Sequence, residues 1–190
     1  MTNGKLVLKT TLAAAALSLG LVSSPVPAQA AGGDAFMRVD GIEGEATERN
    51  HAKWSNIASF SWGATNSGGL AMGGGGGAGK VQFNQVMVTK TIDKATPKLA
   101  QVLAEGRHLA KVEFDFTRGG RAEFAYLKVT LMDVTVSTET IAVASAADPG
   151  VEHVGFNFAK VEIEYKEQKA DGSAGPPVKF GWDVKQNVKI

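Results

Sequence analysis

The 190-residue chain contains no cysteine. A disulfide framework, a thiolate metal site and a thiol nucleophile are therefore all excluded. Histidine is scarce as well: His51, His108 and His153 are the only three, and none stands at helical or strand spacing from another. That leaves no patterned metal set, and each histidine is expected at the surface or in a loop. Neither sign of charge predominates, since 20 Lys+Arg stand against 19 Asp+Glu. A balance of this kind carries no electrostatic footprint for nucleic acid. No G-x-S-x-G elbow occurs. Glu113 and Asp115, like Glu162 and Glu164, are carboxylates two apart, the spacing an acid/base pair could use. They alternate with apolar residues, which places them on the solvent face of a strand. Trp54, Trp62 and Trp182 could line a sugar site, but packing in a core or an interface is the commoner use of tryptophan. No metal, cofactor or catalytic set is expected.

The first 30 residues read as a cleavable secretory leader. Lys5 and Lys9 make a short positive segment, Leu12 to Val22 is an apolar run, and Ala28-Gln29-Ala30 is the small-x-small pattern of a cleavage site between Ala30 and Ala31. The run is shorter than the roughly 20 residues a bilayer span needs. Cleavage would leave residues 31–190 as one domain with 18 basic and 19 acidic residues. Nothing in that mature chain approaches a membrane span. The expected location is periplasmic or extracellular.

The mature chain is mostly strand. Strands are expected at 35–40, 55–64, 80–90, 112–116, 124–136, 154–165 and 178–187. Val112, Phe114 and Phe116 alternate with Lys111, Glu113 and Asp115, as on a half-buried strand. In the sixth strand, Val154, Phe156 and Phe158 share one parity and Ala159, Val161, Ile163 and Tyr165 the other. Such a change implies a bulge or a strand moving between sheets. One helix is expected from Thr96 as N-cap, with Pro97 at its first position and Gly106 just past its end. Ser137 to Gly150 reads as a loop. The fold class is mainly β: a two-sheet closed barrel or sandwich with one short α-helix on its side.

A second loop is glycine-rich: Thr65-Asn66-Ser67-Gly68-Gly69-Leu70-Ala71-Met72-Gly73-Gly74-Gly75-Gly76-Gly77-Ala78-Gly79. Its end, Gly74 to Lys80, fits G-x-x-x-x-G-K. However, Val81 offers no hydroxyl to magnesium, and the loop leads into a strand where a phosphate loop opens a helix. With little besides Leu70 and Met72 to anchor it, the loop is expected to order against another subunit.

Six blocks in order carry a family resemblance. They are Ser61-Trp62-Gly63 with Met72 to Val81; Thr89 to Leu99 (TKTIDKATPKL); Tyr126 to Leu131 (YLKVTL); Asn157-Phe158-Ala159-Lys160; Gln168 to Gly172 (QKADG); and Gly181-Trp182-Asp183. Together they resemble the haemolysin-coregulated protein (Hcp) family of type VI secretion over nearly all of residues 35–188. The resemblance implies two sheets closed into a barrel with a helix at the side. It also implies hexameric rings, possibly stacked into the inner tube of a contractile injector, that carry effectors. Spike, sheath and effector proteins are then the partners, protein transport and virulence the context, and no chemistry is performed. The loop Thr65 to Gly79 becomes a candidate contact between stacked rings. The leader departs from the family pattern, and a stand-alone secreted or periplasmic Hcp-like binding module is the alternative.

Overall fold

Alternation decides the sheet. In β6 (Leu109–Thr117), Leu109, Val112 and Phe114 are buried, while Ala110 is exposed and Lys111 and Glu113 are half-buried. One face of such a strand must find apolar cover, and six strands supply it by closing on themselves. In the computed structural model, which describes residues 33–66, 80–118 and 124–190, the strands in chain order are β1 (Ala35–Val39), β2 (Ser55–Ser61), β3 (Ala64–Asn66), β4 (Val81–Phe83), β5 (Val86–Thr91), β6, β7 (Ala125–Ala142), β8 (Val151–Gln168), β9 (Ala174–Asp183) and β10 (Val188–Lys189), with helix α1 (Thr96–Glu105) between β5 and β6. The sheet order is β10-β9-β8-β5-β2-β1-β6-β7, and β7 pairs back onto β8. The barrel is therefore β8-β5-β2-β1-β6-β7, all antiparallel, and β9 and β10 continue the sheet outside it. β3 and β4 form a separate two-stranded sheet.

The mainly β barrel with one short helix is the fold expected from the sequence, but several boundaries differ. The expected strand 55–64 is cut at Trp62-Gly63, and 80–90 is cut at Asn84-Gln85, where the Asn84 N–H donates to the Gly63 carbonyl at 2.9 Å. Thr65 and Asn66, expected in a loop, lie in β3. β7 runs on to Ala142, so the first six residues of the expected loop 137–150 are strand and the loop begins at Val143. The helix N-cap is Ala95, without a side-chain cap bond; Thr96 lies inside the helix because its hydroxyl is taken elsewhere. Gly106 does end the helix, at φ 61°, with its N–H on the Leu103 carbonyl.

Leu99 and Val102 of α1 are fully buried with Phe114, Leu131, Val134, Phe156 and Val161 in one core. The parity change expected in β8 is real and is shared by β7. Leu131 faces Val161 and Val134 faces Phe158 without loss of register, and Asp133 between them takes φ 52°. Beyond this level β8 exchanges neighbours: its first half pairs with β5 and its second half with β9.

Candidate assembly surfaces and the buried polar network

The sheet extension carries an apolar ledge. Three rows run across β7, β8 and β9: Leu127–Tyr165–Val178, Val129–Ile163–Phe180 and Leu131–Val161–Trp182. In the barrel this face is core. It stays apolar on β9, where closure no longer covers it. Exposure accordingly climbs along the middle row, from 2% at Val129 to 41% at Phe180, and Val178 reaches 69%. Phe180 and Trp182 stack with centroids 6.4 Å apart. A second apolar group stands at the other end of the β7–β8 ribbon. Ile141 and Val143 are more than half exposed there, and Val151 stands on the opposite face. Val151 and Tyr165 stand fourteen positions apart on β8, roughly 45 Å along a straight strand. Exposed aliphatic groups in clusters mark contact surfaces.

The outer face of the same sheet is charged with both signs. Lys128 reaches Asp115 at 3.3 Å, Lys166 and Lys179 both reach Glu164 at 2.9 Å, and Arg38 pairs with Glu113. The lysine hydrogen bonds hold Glu164 below the ordinary carboxylate range. Glu162 is exposed. Asp115 corrects the expectation of a solvent-facing carboxylate, since it is buried at 7% exposure. His51 corrects the expectation of a surface histidine, at 5% exposure. It stacks on Phe36 at 4.3 Å, and its Nδ1 lies 2.5 Å from Glu48 and its Nε2 3.0 Å from Asp115. Both ring nitrogens are thus engaged, and the group ties the 43–54 excursion to β6. His108 and His153 are exposed and bond Asp133 and Thr89. A cleft of about 590 Å³ opens beside His51, and its lining mixes Arg38, Glu113 and Lys128. Trp62 packs on Phe83 at 5.9 Å. Among the described residues no group of histidine and carboxylate side chains is placed to hold a metal ion.

Sequence reasoning missed a buried network under the N-terminus of α1. Lys90 and Glu152 are both fully buried, with Nζ 2.7 Å from Oε2. Lys90 also donates to Asp93 at 2.8 Å and to Thr96 Oγ1 at 3.1 Å, and the Thr96 hydroxyl donates to Glu152. Asp93 accepts from Ser55 at 2.7 Å and from the Ala95 N–H at 2.9 Å. A parity signal was present. Lys90 continues the buried series Val86, Val88, and Glu152 precedes the buried series Val154, Phe156. Glu139 of β7 lies against Glu152. Both its oxygens and Oε1 of Glu152 are buried without a donor among the described residues. Burial, then the Glu152 charge and hydrogen bond, push Glu139 up to about 7 against the pull of Lys90.

Of the expected docking loop, Thr65 and Asn66 are exposed strand residues; residues 67–79 lie outside the described residues, as do Ala30 and Ala31. Lys80 leads directly into β4, so no helix N-terminus stands there to hold a phosphate. No helix among the described residues is long and apolar enough to cross a membrane.

The family described as "Type VI secretion system effector, Hcp" matches residues 36–165. Protein hcp1 of Pseudomonas aeruginosa is 39% identical over 158 residues, which cover 82% of this chain and 98% of the relative. A solved type six secretion system protein superposes with TM-score 0.78 at 29% identity, covering 83% of this chain and 99% of its own. Hcp1 from Salmonella typhimurium does so with TM-score 0.70 at 26% identity, over 84% and 99%.

Proposed function

Because the chain belongs to the Hcp family of type VI secretion proteins, we propose that it is the subunit of a hexameric ring whose rings stack into a tube and carry effector proteins. The family is one of structural, secreted proteins and not of enzymes. The observation that carries the ring is the presence of two unlike apolar surfaces near opposite ends of β8: Val178 with Phe180 on β9, beside its C-terminal half, and Ile141 with Val143 at the end of β7, beside its start. A surface that meets its own copy makes a two-fold dimer. Two unlike surfaces meet head to tail, and a head-to-tail contact makes a ring when its rotation closes. The number six is carried over from the family resemblance, as are spike, sheath and effector partners. Electron microscopy of the negatively stained mature chain tests the reading: six-fold rings with a central hole are expected, and fields of single subunits would overturn it.

Stacking is assigned to the segment Thr65 to Gly79, whose first two residues lie in β3. Its glycines make it costly to order, and Leu70 and Met72 are its main apolar anchors. Replacing both by serine is expected to weaken stacking, seen as fewer sedimenting stacks, at unchanged Tm and unchanged single-ring mass. A drop of many degrees in Tm, or normal stacking, would contradict that role. The leader supports a second reading, a stand-alone exported module with the same barrel. N-terminal sequencing of envelope fractions is expected to start at Ala31; a cytoplasmic protein starting at residue 1 or 2 would contradict export.

A further inference from the structure

We propose that Glu139 and Glu152 share a proton that latches the β7–β8 hairpin tip, and that losing this proton loosens the tip and the ring seam it forms. The seam rests on the ring reading above; the latch does not. The geometry begins with a bulge. Val136 faces Phe156, but Thr138 faces Gly155, so Ser137 is an extra residue in β7. Val134 and Val136 point into the core. Unbroken alternation would send residue 138 inward and Glu139 out. The bulge reverses this and turns Glu139 inward, opposite the fully buried Val154 and two ladder pairs from Glu152 on the same face. Bulges commonly re-aim a side chain in this manner.

The charges around Glu139 come from each packed element. β8 contributes Glu152, with His153 on the opposite face bonded to Thr89. β5 contributes Lys90, the turn before α1 contributes Asp93, and α1 contributes only the Thr96 hydroxyl to the network. One ammonium therefore already faces two carboxylates. A third carboxylate would leave a buried excess of negative charge, and three carboxyl oxygens lack donors among the described residues. A proton on Glu139 supplies the missing donor. Among these groups nothing else is placed to do so.

The sign follows from the ionisation order. In the unfolded chain Glu139 ionises at 4.5; in the fold it does so only at about 7. The latch is fully present below 4.5, weakens as pH rises between the two values, and is lost above about 7. Hydrogen exchange of the full mature chain tests this, with rates corrected for intrinsic exchange. Opening of the amides in 137–156 is expected to increase from pH 5 to pH 8 by at least about threefold, and by no more than about tenfold per pH unit. Amides of β6 that open only with the whole fold share that dependence, because unfolding also returns Glu139 to its ordinary ionisation. In Glu139→Gln the amide donates permanently, so hairpin protection is expected to become pH-independent. A level wild-type hairpin, or an unchanged slope in Glu139→Gln, would overturn the latch. If Glu139→Gln does not fold, the wild-type slope of the hairpin amides decides alone. Mass by light scattering at pH 5.5 and 8.5 separates the two ideas. Monomers at both pH values beside a hairpin slope overturn the ring and support the latch. Rings beside a level hairpin overturn the latch.

Discussion

Two damaged chains are expected to assemble with each other and not with themselves. The first carries Val178→Asp and Phe180→Asp on the ledge; the second carries Ile141→Asp and Val143→Asp on the tip. All four side chains are 41% exposed or more, so each chain is expected to fold and to melt near the wild type, as surface substitutions do. Each alone should run as a single subunit, because a carboxylate in a closed apolar contact has no partner. Burying such side chains is worth about 1.5–3 kcal/mol each. Two losses per seam exceed what a ring contact at micromolar concentration can spare, since each 1.4 kcal/mol is tenfold in affinity. Mixed in equal amounts, the chains still hold one intact ledge and one intact tip between them, and are expected to form a heterodimer and nothing larger. If either variant still makes rings, or if the mixture stays monomeric, the head-to-tail assignment fails.

Lys90→Met is expected to be the most damaging single change within the fold. Lys90 and Glu152 are 0% exposed, so the change leaves a buried carboxylate without its cation, which costs about 3–5 kcal/mol. For a domain of this size that is a fall of roughly 6–20 °C in Tm. The loss comes from an uncompensated charge more than from a missing attraction. Adding Glu152→Gln should therefore restore a large part of the Tm. Lys53, which meets Glu43 at 2.8 Å with both side chains more than half exposed, serves as control: Lys53→Met should leave Tm nearly unchanged. Equal effects of Lys90→Met and Lys53→Met by thermal unfolding would contradict the buried network.

What the sequence made legible follows from local pattern. The alternation of Val112, Phe114 and Phe116 marked β6, and the parity change at Phe158–Ala159 marked the level where β8 changes neighbours. Gly106 marked the helix end because a left-handed residue there needs no Cβ. The helix start was misjudged because Thr96 had two uses for one hydroxyl. Capping is local, but its bonds to Lys90 and Glu152 depend on strands 6 and 56 residues away in sequence. His51 was misjudged for the same reason, its partner Asp115 lying 64 residues on. The Ser137 bulge leaves no mark in composition, since Ser, Thr and Glu at 137–139 read as loop. Only pairing with β8 shows which of them points inward. The ledge was half legible: Val178, Phe180 and Trp182 alternate as a core strand would, and nothing local tells that the barrel closes before reaching them.

The mass of the mature chain in solution decides between a ring and a single subunit. Multi-angle light scattering across a concentration series from micromolar upward is predicted to give six subunits per particle, or multiples of six where rings stack. A mass of one subunit at every concentration would contradict it.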